Sequence, residues 1–178
     1  MFQRWFKPDP MKRRGKALYE QVLEASRRPA LFGEDGVPDT VDGRFDILSL
    51  HMILAIRRLN RAGSEGRALA QAGFDAMFKD MDEAVRNLGA GDMTVGKKIR
   101  KMAEAFYGRA QAYEAGLDAG EAQALAEVIG RNMLDEIEAH EPVALRLADY
   151  ALRMDEALAE QADEAVLGEG GPRFPAVG

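Results

Sequence analysis

The sequence predicts an all-α protein, a single-domain bundle of about six helices with a long ordered loop before the central helix. Three observations predict it. Apolar residues recur at three- and four-residue intervals along most of the chain. Phe74, Met77, Phe78, Met81, Val85 and Leu88, for example, line up on one face of a 3.6-residue helix. No segment shows the apolar–polar alternation between turn signals that marks a strand. A chain of 178 residues is long enough for one core that removes about 70% of the unfolded surface from water.

Residues 1–14 form a basic and aromatic N-terminal segment. Phe2, Trp5 and Phe6 are spaced i, i+3, i+4 among Arg4, Lys7, Lys12, Arg13 and Arg14, a pattern suited to contact with a membrane interface. Pro8 and Pro10 are expected to end any helix there. The helical domain spans 15–167. Its first helix runs over 15–26 with Leu18, Tyr19, Val22 and Leu23 inward, and Pro29 stops it. Residues 30–43 mix Gly, Pro and Asp with Leu31, Phe32, Val37 and Val41, so the loop should be pinned to the body, with Asp42 capping the next helix.

The helix over 44–60 is apolar nearly all round and therefore belongs in the centre, with His51 as a hydrogen-bonded core residue. Ala62-Gly63-Ser64 breaks the chain, Ser64 caps a long helix, and Gly89 ends that helix in the left-handed conformation. On its polar face Asp75 and Lys79, then Asp82 and Arg86, are placed to pair at i, i+4. After the Gly89–Asp92 turn a second long helix begins, capped by Asp92 or Thr94. Ile99, Met102, Phe106, Ala110, Tyr113 and Leu117 face inward, which suits antiparallel packing on its predecessor. Gly108 in its middle costs about 1 kcal/mol relative to alanine and calls for close packing or backbone access. Asp118-Ala-Gly-Glu121 reads as a capping box for a helix carrying Leu125, Val128, Ile129 and Met133. Pro142 opens the last helix, whose inner face is Val143, Leu147, Tyr150, Met154 and Leu158. Residues 168–178 are expected to be a disordered tail.

Composition bounds the chemistry. With no cysteine, thiolate metal sites, disulfides and cysteine nucleophiles are excluded, and Glu136 with His140 is too small a set to hold a metal. The net charge of −6 argues against a general nucleic-acid binder. It is unevenly spread: residues 1–30 hold 8 bases and 3 acids, residues 114–169 hold 3 bases and 15 acids, so an anionic partner should meet the front half. Lys97, Lys98, Arg100 and Lys101 crowd a helix N-terminus, where the helix dipole disfavours positive charge, and need an anionic complement. The start of the chain lacks a secretory apolar stretch, and no apolar run reaches the ~20 residues that span a bilayer. We therefore expect a cytoplasmic protein with no transmembrane helix.

No nucleophile elbow or phosphate-cradling loop is present, so no catalytic residue, cofactor-binding residue or metal ligand is assigned. Asp75, Asp80, Asp82 and Glu83 loosely resemble the Asp-rich helix of isoprenoid-type enzymes, but no second acidic motif is available to face them across a cavity. A helical enzyme or carrier for isoprenoid or haem, or a plain interaction scaffold, are the alternatives. Asp80, Asp82, Asp92, Tyr107 and Arg109 are the candidates for a polar partner-binding site between the two long helices. Lys97, Lys98, Arg100 and Lys101 are the candidates for an anion-facing surface.

Several of these residues fall in motifs with a family likeness. Val37-Pro-Asp-Thr-Val-Asp-Gly-Arg-Phe-Asp46 with His51, Phe78-Lys-Asp-Met-Asp82, Gly89-x-Gly-Asp92, Lys97-Lys98, Lys101-Met102, Phe106-Tyr-Gly-Arg109 and Arg131-Asn132 occur in this order. Together they resemble the ubiquinol–cytochrome c chaperone family over about residues 19–149. Gly96 stands where the family pattern has proline. The resemblance implies an all-helical, non-enzymatic assembly factor for complex III. It would have newly made cytochrome b as client, work beside a small partner protein, and contact the ribosome or an anionic membrane surface through its basic front half. Met- and aromatic-rich helical grooves are physically suited to such apolar clients.

Overall fold

The computed structural model describes residues 9–89, 91–134 and 142–176. It has seven helices among those residues: α1 (Pro10–Ser26), α2 (Val41–Asn60), α3 (Gly63–Asn87), α4 (Asp92–Ala119), α5 (Ala122–Met133), α6 (Pro142–Ala159) and the one-turn α7 (Asp163–Val166). Helix α2 is the axis, packed against α1, α3, α4, α5 and α6. From Asp46 to Ala55 every one of its residues is buried, as its all-round apolar pattern predicts. The core continues through Leu18 and Val22 of α1, Leu69 and Met77 of α3, Phe106 and Tyr113 of α4, Leu125 and Ile129 of α5, and Leu147 and Leu158 of α6.

Where helix ends depart from expectation, a tertiary or local contact explains it. Pro10 does not end a helix but opens α1 at its first position, where the missing N–H is no loss, and the Asp9 carboxylate accepts from the Met11 N–H at 3.0 Å. Thr40 rather than Asp42 caps α2, accepting from the Gly43 N–H at 3.1 Å. No side chain caps α3, α4 or α5, so Ser64, Asp92, Thr94 and Asp118 do not serve in that role. Asp118 lies inside α4 and takes Arg57 at 2.5 Å, while Arg57 also holds Asp155 at 3.0 Å, tying α2 to α4 and α6. Gly89 does terminate α3 with φ +83°.

Helices α1 and α3 run parallel at very close range. A Cβ on Gly15 would lie 2.4 Å from the Ala72 backbone carbonyl carbon, and one on Gly73 would lie 2.5 Å from Leu18 Cδ2. The crossing therefore exists only because both residues are glycine. Residues 168–176 contain no helix or strand, but they are not a free tail. Gly171 lies on Leu18, the Phe174 ring packs 5.1 Å from His51, and Arg28 donates to the Phe174 carbonyl at 3.0 Å. Gln161 adds two bonds to the Arg173 backbone, at 2.8 and 2.9 Å.

His51 is buried beneath that strap. Its Nδ1 is 2.8 Å from the Ile47 carbonyl, which can only accept, so Nδ1 carries the proton and Nε2 accepts from the Tyr150 hydroxyl at 2.6 Å. Burial pushes its pKa down to about 4 and that of Tyr150 up to about 12. It is a core histidine, as the sequence suggests. Among the described residues no helix is long and apolar enough to cross a membrane.

Candidate functional site: an aromatic seam and a basic hairpin tip

The antiparallel pair α3–α4 carries a seam of four rings that the core does not fully cover. Phe74 lies 4.6 Å from Phe78, 5.2 Å from Phe106 and 5.5 Å from Tyr107 between ring centres. Phe106 is buried, Phe74 and Phe78 are half-buried, and Tyr107 is 58% exposed although it touches two other rings. Ring contacts of this kind are worth about 0.5–1.5 kcal/mol beyond area burial and hold Tyr107 in place at the surface. Beside it, an open groove of about 480 Å³ runs between α2 and α4, floored by Ile53, Ile56, Phe106 and Ala110, with Arg61 and Glu114 on its rim. Gly108 is exposed, and a Cβ there would meet nothing within 4 Å. Among the described residues it serves no close packing, and the α4 backbone is open beside Tyr107.

The polar candidates do not form one site. Asp80 faces α1, accepting from the Tyr19 hydroxyl at 2.6 Å, and burial followed by this bond raises the Tyr19 pKa. Asp82 and Asp92 come together through Arg86, which donates to Asp82 at 2.5 Å and also binds Asp92, stapling the α3–α4 turn. Lys79 pairs with Glu83, and Asp75 accepts from Gln71. Arg109 turns inward: it donates to Asp46 of α2 at 2.5 Å, reaches the Asn132 carbonyl of α5 at 3.5 Å, and stacks over Phe45. With side-chain exposures of 14% and 8%, Arg109 and Asp46 are a buried ion pair joining three helices. Asp46 was not singled out from sequence. The signal was there, because a carboxylate on a helix that is apolar nearly all round requires a cationic partner.

The bases at the start of α4 behave differently. Lys97, Lys98, Arg100 and Lys101 are all exposed and, among the described residues, form no ion pair. Asp92, the obvious neutraliser, is committed to Arg86. Near them Leu88 is 81% and Met93 79% exposed, while Val85 and Val95 are buried. Phe2, Trp5 and Phe6 lie outside the described residues, as do Glu136 and His140. No cluster of metal-ligating side chains occurs among the described residues.

Comparison with known proteins gives this arrangement a family. The profile described as ubiquinol-cytochrome C chaperone matches residues 34–174. The crystal structure of the Cbp3 homolog from Brucella abortus superposes with a TM-score of 0.81 and 39% identity, covering 92% of this chain and 89% of that one. The ubiquinol-cytochrome-c reductase complex assembly factor 1 of Xenopus laevis is 24% identical over 119 residues, 67% of this chain and 59% of its own. The protein of the same name from Drosophila melanogaster is 29% identical over 105 residues, 56% of this chain and 40% of its own. The chain thus spans about half the length of these two relatives. The profile match covers most of the chain, including α2, the ring seam, the buried Asp46–Arg109 pair and the C-terminal strap, and the chain belongs to the ubiquinol-cytochrome C chaperone family.

Proposed function

We propose that this protein is a non-catalytic assembly chaperone for ubiquinol:cytochrome c reductase, with newly made cytochrome b as its client, working peripherally at the inner membrane. The observation that carries the reading is the partly uncovered seam of Phe74, Phe78, Phe106 and Tyr107 beside the α2–α4 groove. Folding alone would favour covering such rings. Left half-open, they offer a preformed apolar surface to a helix of a membrane protein before it reaches its final partners.

In this reading the proposed contacts divide by position. Tyr107 and the adjoining open backbone at Gly108 meet the client. Asp80, Asp82, Asp92 and Arg109 act indirectly, by fixing α3 and α4 to each other and to α1, α2 and α5. Lys97, Lys98, Arg100 and Lys101 face an anionic surface, and the segment ahead of α1, with Phe2, Trp5 and Phe6, supplies a second attachment.

The test is deletion in the host, followed by separate measurement of cytochrome b synthesis, lifetime and haem content, with the intact chain and a Tyr107→Asp variant returned to the deletion strain. The intact chain should restore complex III, and Y107D should accumulate normally yet restore it poorly. Unchanged cytochrome b in all three measurements after deletion would reject the proposal.

A further inference from the structure

We infer that the tip of the α3–α4 hairpin is a lipid-surface anchor. Leu88 and Met93 enter the interfacial layer of an anionic bilayer, while Lys97, Arg100 and Lys101 lie against its headgroups. The observations are of two independent kinds. First, two large apolar side chains, at the end of α3 and the start of α4, have 81% and 79% of their surface in water, although neighbouring Val85 and Val95 are buried. Arg86 binds both Asp82 of α3 and Asp92 of α4 there. Large apolar side chains exposed together at the end of a helical hairpin are costly to maintain in water and gain by partitioning into an interface.

Second, the charge is placed to match. At 100° per residue, Lys97, Arg100 and Lys101 fall within about 80° of Met93 on the outward face of α4. Residues 86–101 contain Arg86, Lys97, Lys98, Arg100 and Lys101 against Asp92, a net of +4 in a chain of −6, so the remainder carries −10. A cationic tip on a body of net negative charge orients the molecule toward an anionic leaflet. RNA would attract the same bases, but it has no use for exposed aliphatic side chains, whereas a bilayer uses both features. The tip is also distinct from the basic segment ahead of α1. Arg14 pairs with Glu65 and Tyr19 with Asp80, so α1 begins at the opposite end of α3, which spans about 37 Å over its 25 residues.

This inference deepens the reading of a membrane-peripheral chaperone, but its test involves no client. Failure of one therefore leaves the other standing. Because the chain has no cysteine, L88C, M93C and the control Q123C at the exposed start of α5 each accept one environment-sensitive fluorophore. The vesicles are phosphatidylcholine with and without about 30 mol% phosphatidylglycerol. Labels at L88C and M93C should shift to shorter wavelength on the anionic vesicles and be quenched by shallow spin-labelled lipids, while the Q123C label should not change.

The double variant K97Q/K101Q should lose about 30-fold in partitioning, from about fivefold per charge, and L88S/M93S about tenfold. Both should keep the wild-type helical signal, since all four side chains are exposed. Water-like emission from L88C and M93C on bound protein, or wild-type partitioning by L88S/M93S, would overturn the inference. So would tight binding of a single-stranded RNA oligonucleotide by the wild type, lost in K97Q/K101Q without loss of vesicle binding.

Discussion

Replacing Arg109 by methionine tests whether this residue holds the fold together or is free for a partner. Methionine keeps an unbranched apolar stem, and removes the guanidinium that binds Asp46 at 2.5 Å, reaches the Asn132 carbonyl and lies over the Phe45 ring. Asp46 has 8% of its side chain exposed and cannot regain full hydration. Breaking a buried pair from one side costs about 3–5 kcal/mol, and the residual exposure of both groups places the expected loss near the lower end, about 3 kcal/mol. For a chain of this size that corresponds to a fall in Tm of roughly 6–12 °C. The D46L/R109M double variant should recover most of this loss, because a matched apolar pair carries no desolvation penalty. Urea unfolding followed by circular dichroism gives all three free energies. If R109M is within about 0.5 kcal/mol of wild type, within the usual range for surface substitutions, the buried-pair argument is wrong and Arg109 returns to the list of partner-binding residues.

Two glycines should respond in opposite directions to alanine. G15A places a Cβ 2.4 Å from the α3 backbone and should destabilise by about 1–3 kcal/mol despite alanine's better helix propensity. G108A meets open space and should stabilise by up to about 1 kcal/mol, with any cost confined to client capture; denaturant midpoints measure both. Acid should act through His51. Its folded pKa of about 4 lies below the ordinary 6.5, so the unfolded chain takes up a proton first. Stability is then full above pH 6.5 and falls toward pH 4, by about 2 kcal/mol at pH 5. Comparing the stability difference between pH 8 and pH 5 in wild type and H51Q isolates this part from the carboxylates, and equal differences would refute it.

What was legible in the sequence was the part set by local periodicity. The apolar repeats gave the helices, the all-round apolar pattern of residues 44–60 placed α2 at the centre, and Gly89 marked the end of α3. What escaped was set by partners distant in sequence. Asp118 has every feature of a capping residue until Arg57, 61 positions away, takes its carboxylate. Asp46 and Arg109 are 63 positions apart, and nothing in either local pattern links them. The Gly-rich segment after Val166 resembles a disordered tail by composition, yet Gly171 fits against Leu18 and Phe174 packs on His51, contacts that only the assembled α1–α2 pair creates. The aromatic seam was visible as an inward stripe. That Tyr107 stands at its edge, more than half exposed, depends on how α3 and α4 are rotated against each other.

The central claim is that this edge meets cytochrome b. A photo-activatable residue in place of Tyr107, with a second at the exposed Gln123 on α5 as control, tests it directly in cells that are making complex III. The account predicts a crosslink to cytochrome b from position 107, absent from position 123 and reduced by an added Ile56→Asp change in the groove. Crosslinks from position 107 that never include cytochrome b, in cells where the protein still supports complex III assembly, would contradict it.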